Sequence, residues 1–368
     1  MKRIAVLGAG NAGCAAAAHL TKMGLEVRLY NRWAAEIETL KTQGGVRLEG
    51  VLGSGLHKPA VITTDLREAV AGADFFWVAT PAVAHEFLAT ELARLLPEGA
   101  HVLLNPGSTG GALAFSKTVK EHGGPGDLVV AETNTNIYIC RITTPGTVTV
   151  WNLAAHILFS AFPGRCRDAV VEELAPYFSN LKAVPTVLNT AFANINAIMH
   201  PAGMVMNAGW IEHTDGGFKF YAEGGTASVG AVIDQLDRER TATMLALGLD
   251  PLPFVEVFYL YGATSPQAVE ERSAYRALKD SAPNALIQAP PNLKHRYLSE
   301  DVPFGLVPMR HLADLAGVRT PVIDALITLA SVANGVDYLS RGLTLRKMGL
   351  DEVTPFTLLT FLREGRTE

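Results

Sequence analysis

The chain has 368 residues, of which 48% are hydrophobic and 18% charged, so it can bury more than one core and we expect two domains. A net charge of -5 without any Lys/Arg-rich run excludes partners that need a concentrated positive field, such as nucleic acid or an anionic membrane. Cys14, Cys140 and Cys166 form no CxxC pair, and no apolar stretch is long enough for a membrane span. We therefore expect no metal site, a cytoplasmic protein without an export signal, and a small-molecule partner.

The first half of the chain alternates short apolar runs with helical stretches. The runs predicted as strands are Ile4 to Leu7, Glu26 to Tyr30, Phe75 to Ala79, His101 to Leu104 and Leu128 to Ala131. This alternation predicts an α/β domain built on a doubly wound, mostly parallel sheet. The segment from Thr147 to Phe162 could add strands to that sheet, and Arg167 to Leu181 is predicted to be helical.

After about residue 150 the strand signals fade and Ala/Leu/Met-rich helical stretches dominate. The predicted helices include Thr190 to Glu212, Ser228 to Leu247, Pro253 to Tyr261 and Pro321 to Ala333. We place a domain boundary near Pro185, which gives an α/β domain over 1–184 and a mostly α-helical domain over 185–368.

A glycine motif follows the first predicted strand and opens the first helix. Its residues are Gly8, Ala9, Gly10, Asn11, Ala12 and Gly13. Gly8 allows the tight turn, Gly10 lets the backbone approach a pyrophosphate, and Gly13 lets helix and strand pack closely. An ordinary glycine-rich turn is the alternative, but the second strand follows at the spacing of a Rossmann dinucleotide-binding domain. NAD(H) or NADP(H) is therefore the expected cofactor.

The second predicted strand ends at Asn31 and Arg32, where an acidic residue would hold the ribose of NAD. Neither residue carries the charge that rejects a 2′-phosphate, and Arg32 could bind that phosphate or stack on the adenine. This modestly favours NADP. The alternative is that Arg32 is a solvated charge and Asn31 holds the ribose.

Two further loops lie at predicted carboxyl ends of strands, where open α/β sheets bind ligands. One contains Thr80 and Pro81, and the other runs from Asn105 to Gly111. We expect both to border the nicotinamide half of the cofactor, with Thr80 and Pro81 as contacts. They could also be tight connections only, and His85 is interpreted as a surface or packing residue.

The apolar segment from Asn194 to Pro201 holds a candidate proton donor. Asn196 and His200 are four residues apart and share one helical face, and a histidine is the usual acid for reduction of a carbonyl or imine. Taken alone, His200 could equally be a core histidine with satisfied hydrogen bonds.

Several sequence runs together resemble the opine dehydrogenases, the octopine and nopaline type enzymes, over nearly the whole chain. The matching runs are the glycine motif from Gly8, Asn105 to Leu113, Glu132-Thr133, Pro145 to Val148, Asn194 to Pro201, Arg296 to Val302 and Gly305 to Pro308. The resemblance implies an NAD(P)H-dependent reductive condensation of an amino acid with a 2-keto acid.

The resemblance also implies roles for individual residues. His200 would be the proton-transfer residue, Asp301 would orient it, and Arg296 would bind a substrate carboxylate. Asn196, which shares a helical face with His200, is expected to contact the substrate as well. Without the resemblance, Arg296 and Asp301 would be interpreted as part of a solvated charged turn. Whether Tyr221 and its neighbours form a substrate loop or merely precede a helix capped by Ser228 stays open.

Two other functions are compatible with a Rossmann domain followed by a helical domain. Related two-domain dehydrogenases of hydroxy acids or polyol phosphates use a lysine in the helical domain. Residues 190–207 contain none, although Lys219, Lys279 or Lys294 could enter the site from elsewhere in the chain. A non-catalytic dinucleotide sensor would bind the cofactor without turning it over. A homodimer is possible, because apolar helical domains of this kind often associate.

Overall fold

The structure, a computed structural model, describes residues 2–367. They form two compact units. The first comprises the residues up to Gly107, Gly111–Val187 and Leu362–Gly365, and the second comprises Ser108–Gly110, Leu188–Phe361 and the residues after Gly365.

The strands are β1 (Arg3–Leu7), β2 (Glu26–Tyr30), β3 (Val46–Gly50), β4 (Gly55–His57), β5 (Val61–Thr63), β6 (Phe75–Val78), β7 (His101–Leu104), β8 (Val129–Thr133), β9 (Tyr138–Thr144), β10 (Thr147–Leu153), β11 (Ile157–Phe162) and β12 (Leu181–Ala183). The helices are α1 (Asn11–Lys22), α2 (Ala34–Gln43), α3 (Leu66–Val70), α4 (His85–Leu92), α5 (Gly111–Glu121), α6 (Arg167–Leu174), α7 (Val187–Phe192), α8 (Asn196–Met206), α9 (Ala208–Thr214), α10 (Ala227–Ala246), α11 (Phe254–Leu260), α12 (Pro266–Glu271), α13 (Ala274–Lys279), α14 (Arg296–Ser299), α15 (Val307–Ala316), α16 (Pro321–Asn334), α17 (Tyr338–Arg341) and α18 (Pro355–Glu364).

The first unit is built on an eight-stranded sheet of order β12-β11-β8-β7-β6-β1-β2-β5. All neighbouring strands are parallel except β11, which runs antiparallel to β8. The order reverses beside β1, whose Leu7 pairs with Tyr30 of β2 and with Val78 of β6. All five predicted strands are present, so the predicted doubly wound, mostly parallel sheet is confirmed.

A second sheet, of order β4-β3-β10-β9, was not predicted from the sequence. Its strands are half exposed: in β3, Val46 and Leu48 are buried whereas Arg47 and Glu49 face outward. Helix α1 packs against both sheets, and its alanines at 15–18 have no exposed surface. Small side chains suit this position because they let sheet backbones approach a helix from two sides.

The second unit is helical, as predicted. The predicted helix from Thr190 to Glu212 is three helices, α7, α8 and α9. The long helix α10 begins after Thr226, whose hydroxyl accepts from Val229 N, so Thr226 and not Ser228 caps this helix. Glu239 of α10 caps α16 in turn, because its carboxylate accepts from Val322 N and Ile323 N, both at 3.0 Å.

Residues 2–367 contain neither a membrane-spanning helix nor a cluster of metal-binding side chains. None of their helices combines the length and apolar character needed to cross a bilayer. Within the same residues, no three His, Cys, Asp or Glu side chains converge as a set of metal ligands.

Candidate active site

The glycine loop between β1 and α1 is shaped by close backbone contacts. Gly8 has a φ of +111°, and a Cβ there would lie 2.7 Å from the carbonyl oxygen of Ala79. A Cβ on Gly13 would lie only 1.8 Å from the Gly8 carbonyl oxygen. A Cβ on Gly10, by contrast, would meet nothing within 4 Å. The first and last glycines therefore serve packing, whereas the middle one keeps an open approach to the backbone, as a pyrophosphate requires.

The first turn of α1 is suited to an anion. Gly10 supplies no side-chain cap, and the turn contains no acidic residue. The side chain of Asn11 is directed to the second sheet, since its Oδ1 accepts from Ile142 N at 2.8 Å. The backbone N–H groups of Asn11 and Ala12 open the helix, where the macrodipole favours phosphate.

Asn31 is buried at the end of β2 and its carboxamide bonds within the protein. Its Oδ1 accepts from Ala9 N at 3.1 Å, and its Nδ2 donates to Trp33 O at 3.3 Å and to Glu36 Oε2 at 2.7 Å. These bonds tie the glycine loop to β2 and α2. The geometry favours a role in shaping the cofactor loop over direct contact with the ribose.

Arg32 is exposed and lies against two aromatic rings. Its guanidinium carbon is 4.8 Å from the ring centre of Trp33 and 4.4 Å from that of Phe87. Cation–π contacts occupy the faces of a guanidinium and leave its N–H edge available. A cavity of about 430 Å³, lined in part by Phe87 and Tyr30, opens beside this stack.

Two buried polar atoms without a hydrogen-bond partner lie at the carboxyl edge of the main sheet. They are Oγ1 of Thr80, after β6, and Oδ1 of Asn105, after β7. Pro81 is exposed and precedes a 3-10 turn, and His85 is buried at the start of α4. Their position at this edge, where open α/β sheets bind ligands, is consistent with Thr80 as a candidate cofactor contact.

His200 and Asp301, separated by 101 residues, are hydrogen bonded in the second unit. Nδ1 of His200 lies 2.7 Å from Oδ2 of Asp301, and both side chains are largely buried. Helix α8 carries His200, and a π-helical turn at Val302–Leu306 follows Asp301 directly. These elements approach closely because Gly305 packs on Ala197, where a Cβ at 305 would lie 2.4 Å from the Ala197 Cβ.

Two tyrosines complete the surroundings of His200. The hydroxyl of Tyr221 lies 2.8 Å from Nε2 of His200, and the ring of Tyr297 stacks on the imidazole with 3.6 Å between ring centres and 14° between planes. Gly203, one turn after His200, leaves room for the ring of Phe220, because a Cβ at position 203 would lie 2.6 Å from that ring. The sequence left Tyr221 undecided, and no local pattern pointed to its partner 21 residues away.

Arg296 and Asn196 lie near the dyad in the chain but differ in environment. The Arg296 side chain is 61% exposed, with its Nε 2.9 Å from Oε2 of the buried Glu300. Asn196 is partly buried and begins α8, one turn before His200. A guanidinium held along one edge by a carboxylate still presents further N–H groups to an anionic ligand.

The fold and these groups define a class of protein. One unit has the glycine loop of a dinucleotide-binding domain, with an open Gly10. The helical unit contains a buried histidine that is hydrogen bonded to a carboxylate. These two features are typical of a nicotinamide-dependent oxidoreductase.

Comparisons with known proteins narrow that class. Residues 183–334 match the family described as NAD/NADP octopine/nopaline dehydrogenase, alpha-helical domain, and residues 3–124 match the NAD-dependent glycerol-3-phosphate dehydrogenase N-terminus. The chain is 36% identical to an opine dehydrogenase of Arthrobacter sp. (strain 1C), covering 96% of each protein. It is 26% identical to a vitopine synthase of Allorhizobium ampelinum, over 98% of this chain and 99% of that protein.

Solved structures share the fold. Octopine dehydrogenase in complex with NADH and agmatine matches with a TM-score of 0.81 at 20% identity, covering 98% of both chains. NADP+-bound yersinopine dehydrogenase matches with a TM-score of 0.77 at 16% identity, covering 99% of this chain and 98% of the other. The chain belongs to the opine dehydrogenase family, as its sequence motifs predicted.

Proposed function

We propose that this chain uses NAD(P)H to join an amino acid and a 2-keto acid reductively into a secondary amine that carries two carboxylates. Family membership supports the reaction type, and the 2.7 Å hydrogen bond between His200 and Asp301 is the observation that carries the proposal for its proton chemistry. The cofactor supplies the hydride when bound. The residues of this chain bind the substrates and move the protons.

The dyad sets the protonation of the imidazole. An ionised Asp301 carboxylate only accepts hydrogen bonds, so Nδ1 of His200 carries a hydrogen and Nε2 is the nitrogen that gains or loses the transferable proton. In the reductive direction, His200 is the source of the proton for the hydroxyl that leaves as water when the imine forms. Asp301 stabilises the charged imidazolium and fixes the ring orientation.

Arg296 and Asn196 are proposed to bind the substrates. The planar guanidinium of Arg296 can hold a carboxylate with two parallel hydrogen bonds. Asn196, on the same face of α8 as His200, can donate its amide to a substrate oxygen.

NADP(H) is proposed as the preferred coenzyme, with NAD(H) as the alternative. The stacking of Arg32 against Trp33 and Phe87 supports this preference, because a pre-positioned guanidinium loses little freedom on binding a 2′-phosphate. The other proposed cofactor contacts are the glycine loop with Gly8, Gly10, Asn11, Ala12 and Gly13, Asn31 as its support, and Thr80 with Pro81.

Consumption of NADPH and NADH by the purified protein tests the function. A panel of amino acids is offered with pyruvate and other 2-keto acids, and each component is omitted in turn. Oxidation that requires both substrates supports the opine reaction. Oxidation with a keto acid alone would make the protein a keto-acid reductase, and binding without oxidation would favour a dinucleotide sensor.

Three organisational proposals accompany the function. Residues 1–184 would bind the dinucleotide and residues 185–368 the substrates, in a cytoplasmic protein.

A homodimer is supported by exposed apolar side chains on one face of α16, where Leu329 and Val332 are 53% and 78% exposed. Sedimentation velocity of the wild type and of V332E would test the dimer.

A further inference from the structure

Both ring nitrogens of His200 are occupied. Nδ1 is bonded to Asp301 at 2.7 Å and Nε2 to the Tyr221 hydroxyl at 2.8 Å. The ring face is covered by Tyr297 at 3.6 Å, and the histidine as a whole is 6% exposed. A proton can therefore leave the imidazole only toward one of its two partners, unless one of them is displaced. Asp301 holds the nitrogen that stays protonated, which leaves Tyr221.

Tyr221 has the properties of a neutral relay. It is 4% exposed, and burial is the main reason why its pKa is raised well above its usual range, with Tyr297 and Asp301 adding to the shift. Its hydroxyl is also hydrogen bonded to the side chain of Tyr297, which is only partly buried. A neutral phenol donates one hydrogen bond while accepting another, so it can receive a proton as it releases its own.

The loop around Tyr221 is built to hold this geometry. A Cβ on Gly224 would lie 2.5 Å from the Phe220 carbonyl oxygen, and one on Gly225 would lie 2.3 Å from the Tyr221 carbonyl oxygen. The Asn207 amide also donates to Gly203 O of α8 at 2.9 Å and to Gly224 O at 3.1 Å. This loop is thus tied directly to the helix that carries His200.

We propose that Tyr221 is a further catalytic residue, the hydroxyl through which His200 exchanges its proton with the substrate. The proposal rests on the proposed function. During imine formation, the imidazolium passes its Nε2 proton to the Tyr221 oxygen. The Tyr221 hydroxyl proton passes to the departing substrate hydroxyl, which takes the place of Tyr297 as the acceptor and leaves as water when its C–O bond breaks. The nitrogen lone pair of the substrate forms the C=N bond. His200 ends neutral and Tyr221 remains a neutral phenol.

Several other ionisable groups face this pair. Asp301 and Tyr297 contact His200, and His295 packs edge-on against Tyr297 with 4.5 Å between ring centres. The pKa of His295 is lowered by burial, by His200 and by Arg296, so His295 is neutral near pH 7. Arg296 pairs with Glu300 on the same segment. Because these groups can also affect how kcat depends on pH, a test of the proposal must change Tyr221 alone.

The first test is Tyr221→Phe, which removes the hydroxyl and keeps the ring. We expect kcat to fall about 100-fold, with KM for the keto acid within about twofold and NADPH affinity unchanged. The matched control is Tyr259→Phe on an exposed tyrosine of α11, which should keep wild-type rates. A Tyr221→Phe variant that folds and keeps kcat within about threefold would overturn the proposal.

A second test separates a relay from mere positioning and does not depend on the phenylalanine variant. Replacing Tyr221 with 3,5-difluorotyrosine makes the phenol more acidic with little change of shape, so a relay predicts that kcat at a fixed pH changes, whereas a positioning role predicts no change. A kcat within about twofold of the wild-type value would overturn the proposal.

A third measurement needs no turnover, so it stands even if the proposed reaction fails. The ¹⁵N chemical shift of His200 Nε2 should change in Tyr221→Phe and not in Tyr259→Phe. An unchanged shift would show that the hydrogen bond is absent, and the relay with it.

Discussion

His200 shows at the residue scale how a common side chain becomes a site. Its neighbours in α8 are apolar, and its hydrogen-bond partners, Asp301 and Tyr221, come from distant segments of the chain. A buried imidazole with both nitrogens bonded is held in one orientation and one tautomer.

The first prediction concerns this dyad. His200→Ala should remove most turnover, and Asp301→Asn should lower kcat at least about 100-fold, because the amide cannot stabilise the imidazolium. NADPH affinity, measured by fluorescence titration, should stay near wild type in both. The exposed His213→Ala serves as the control. Loss of cofactor binding together with turnover would mean that the dyad is structural.

The second prediction at the residue scale concerns Arg32. Arg32→Glu should raise KM for NADPH roughly 10- to 100-fold, the value of a charge-assisted hydrogen bond, while KM for NADH changes about threefold at most. Lys41→Glu makes the same charge change on the exposed side of α2 and should leave the coenzyme preference intact. An equal effect of Arg32→Glu on both coenzymes would contradict a 2′-phosphate contact.

At the scale of elements, how closely α8 approaches the π-helical turn sets the distance between the His200 and Asp301 side chains. The glycine at 305 is what permits that approach, since its missing Cβ leaves room for Ala197. π-Helical turns are rare and occur often at functional sites, where they re-aim a side chain.

We predict that Gly305→Ala separates these two elements. The added methyl must displace Ala197, and overpacking of this kind costs about 1 to 3 kcal/mol of unfolding free energy. Urea denaturation should show that loss, with a lower kcat at a temperature where the variant is folded. The control is Gly209→Ala in α9, where a Cβ meets nothing within 4 Å. Equal stability of the two variants would argue against close packing at 305.

At the scale of the whole molecule, buried histidines make stability depend on pH. Burial lowers the pKa of His85 from 6.5 to about 4, opposed in part by its hydrogen bond to Thr80 O, and burial lowers that of His19 to about 4 as well. A histidine with a depressed folded pKa binds its proton more readily in the unfolded chain. The contribution of these two neutral histidines to the free energy of unfolding is therefore fully present above pH 6.5 and is lost as the pH falls toward 4.

The fourth prediction follows from that sign. Between pH 7 and pH 5, His85 alone should cost about 2 kcal/mol of unfolding free energy, measured by urea denaturation at each pH. His85→Gln keeps a donor toward Thr80 O and cannot titrate, so its pH dependence should be smaller by that amount. The exposed His122→Gln should behave as wild type. A His85→Gln variant with the wild-type pH dependence would contradict this account.

The sequence by itself determined the architecture and the family. Local patterns carry this information: a glycine loop after a buried strand, alternating elements, and a switch to helical periodicity after residue 150. The second sheet was not predicted because its strands are half exposed and so have weak patterns, and because β3 and β10, which join its two hairpins, lie about 100 residues apart.

Only the tertiary structure decided how the site is assembled. Asn31 was expected near the ribose, but its carboxamide bonds to Ala9 and Glu36, which no local pattern could reveal. Three further contacts also join residues that are distant in the chain: the hydrogen bond of Tyr221 to His200, the packing of Gly305 on Ala197 and the stack of Arg32 on Phe87. Periodicity and propensity describe neighbours along the chain, whereas contacts of this kind are set by how completed elements pack.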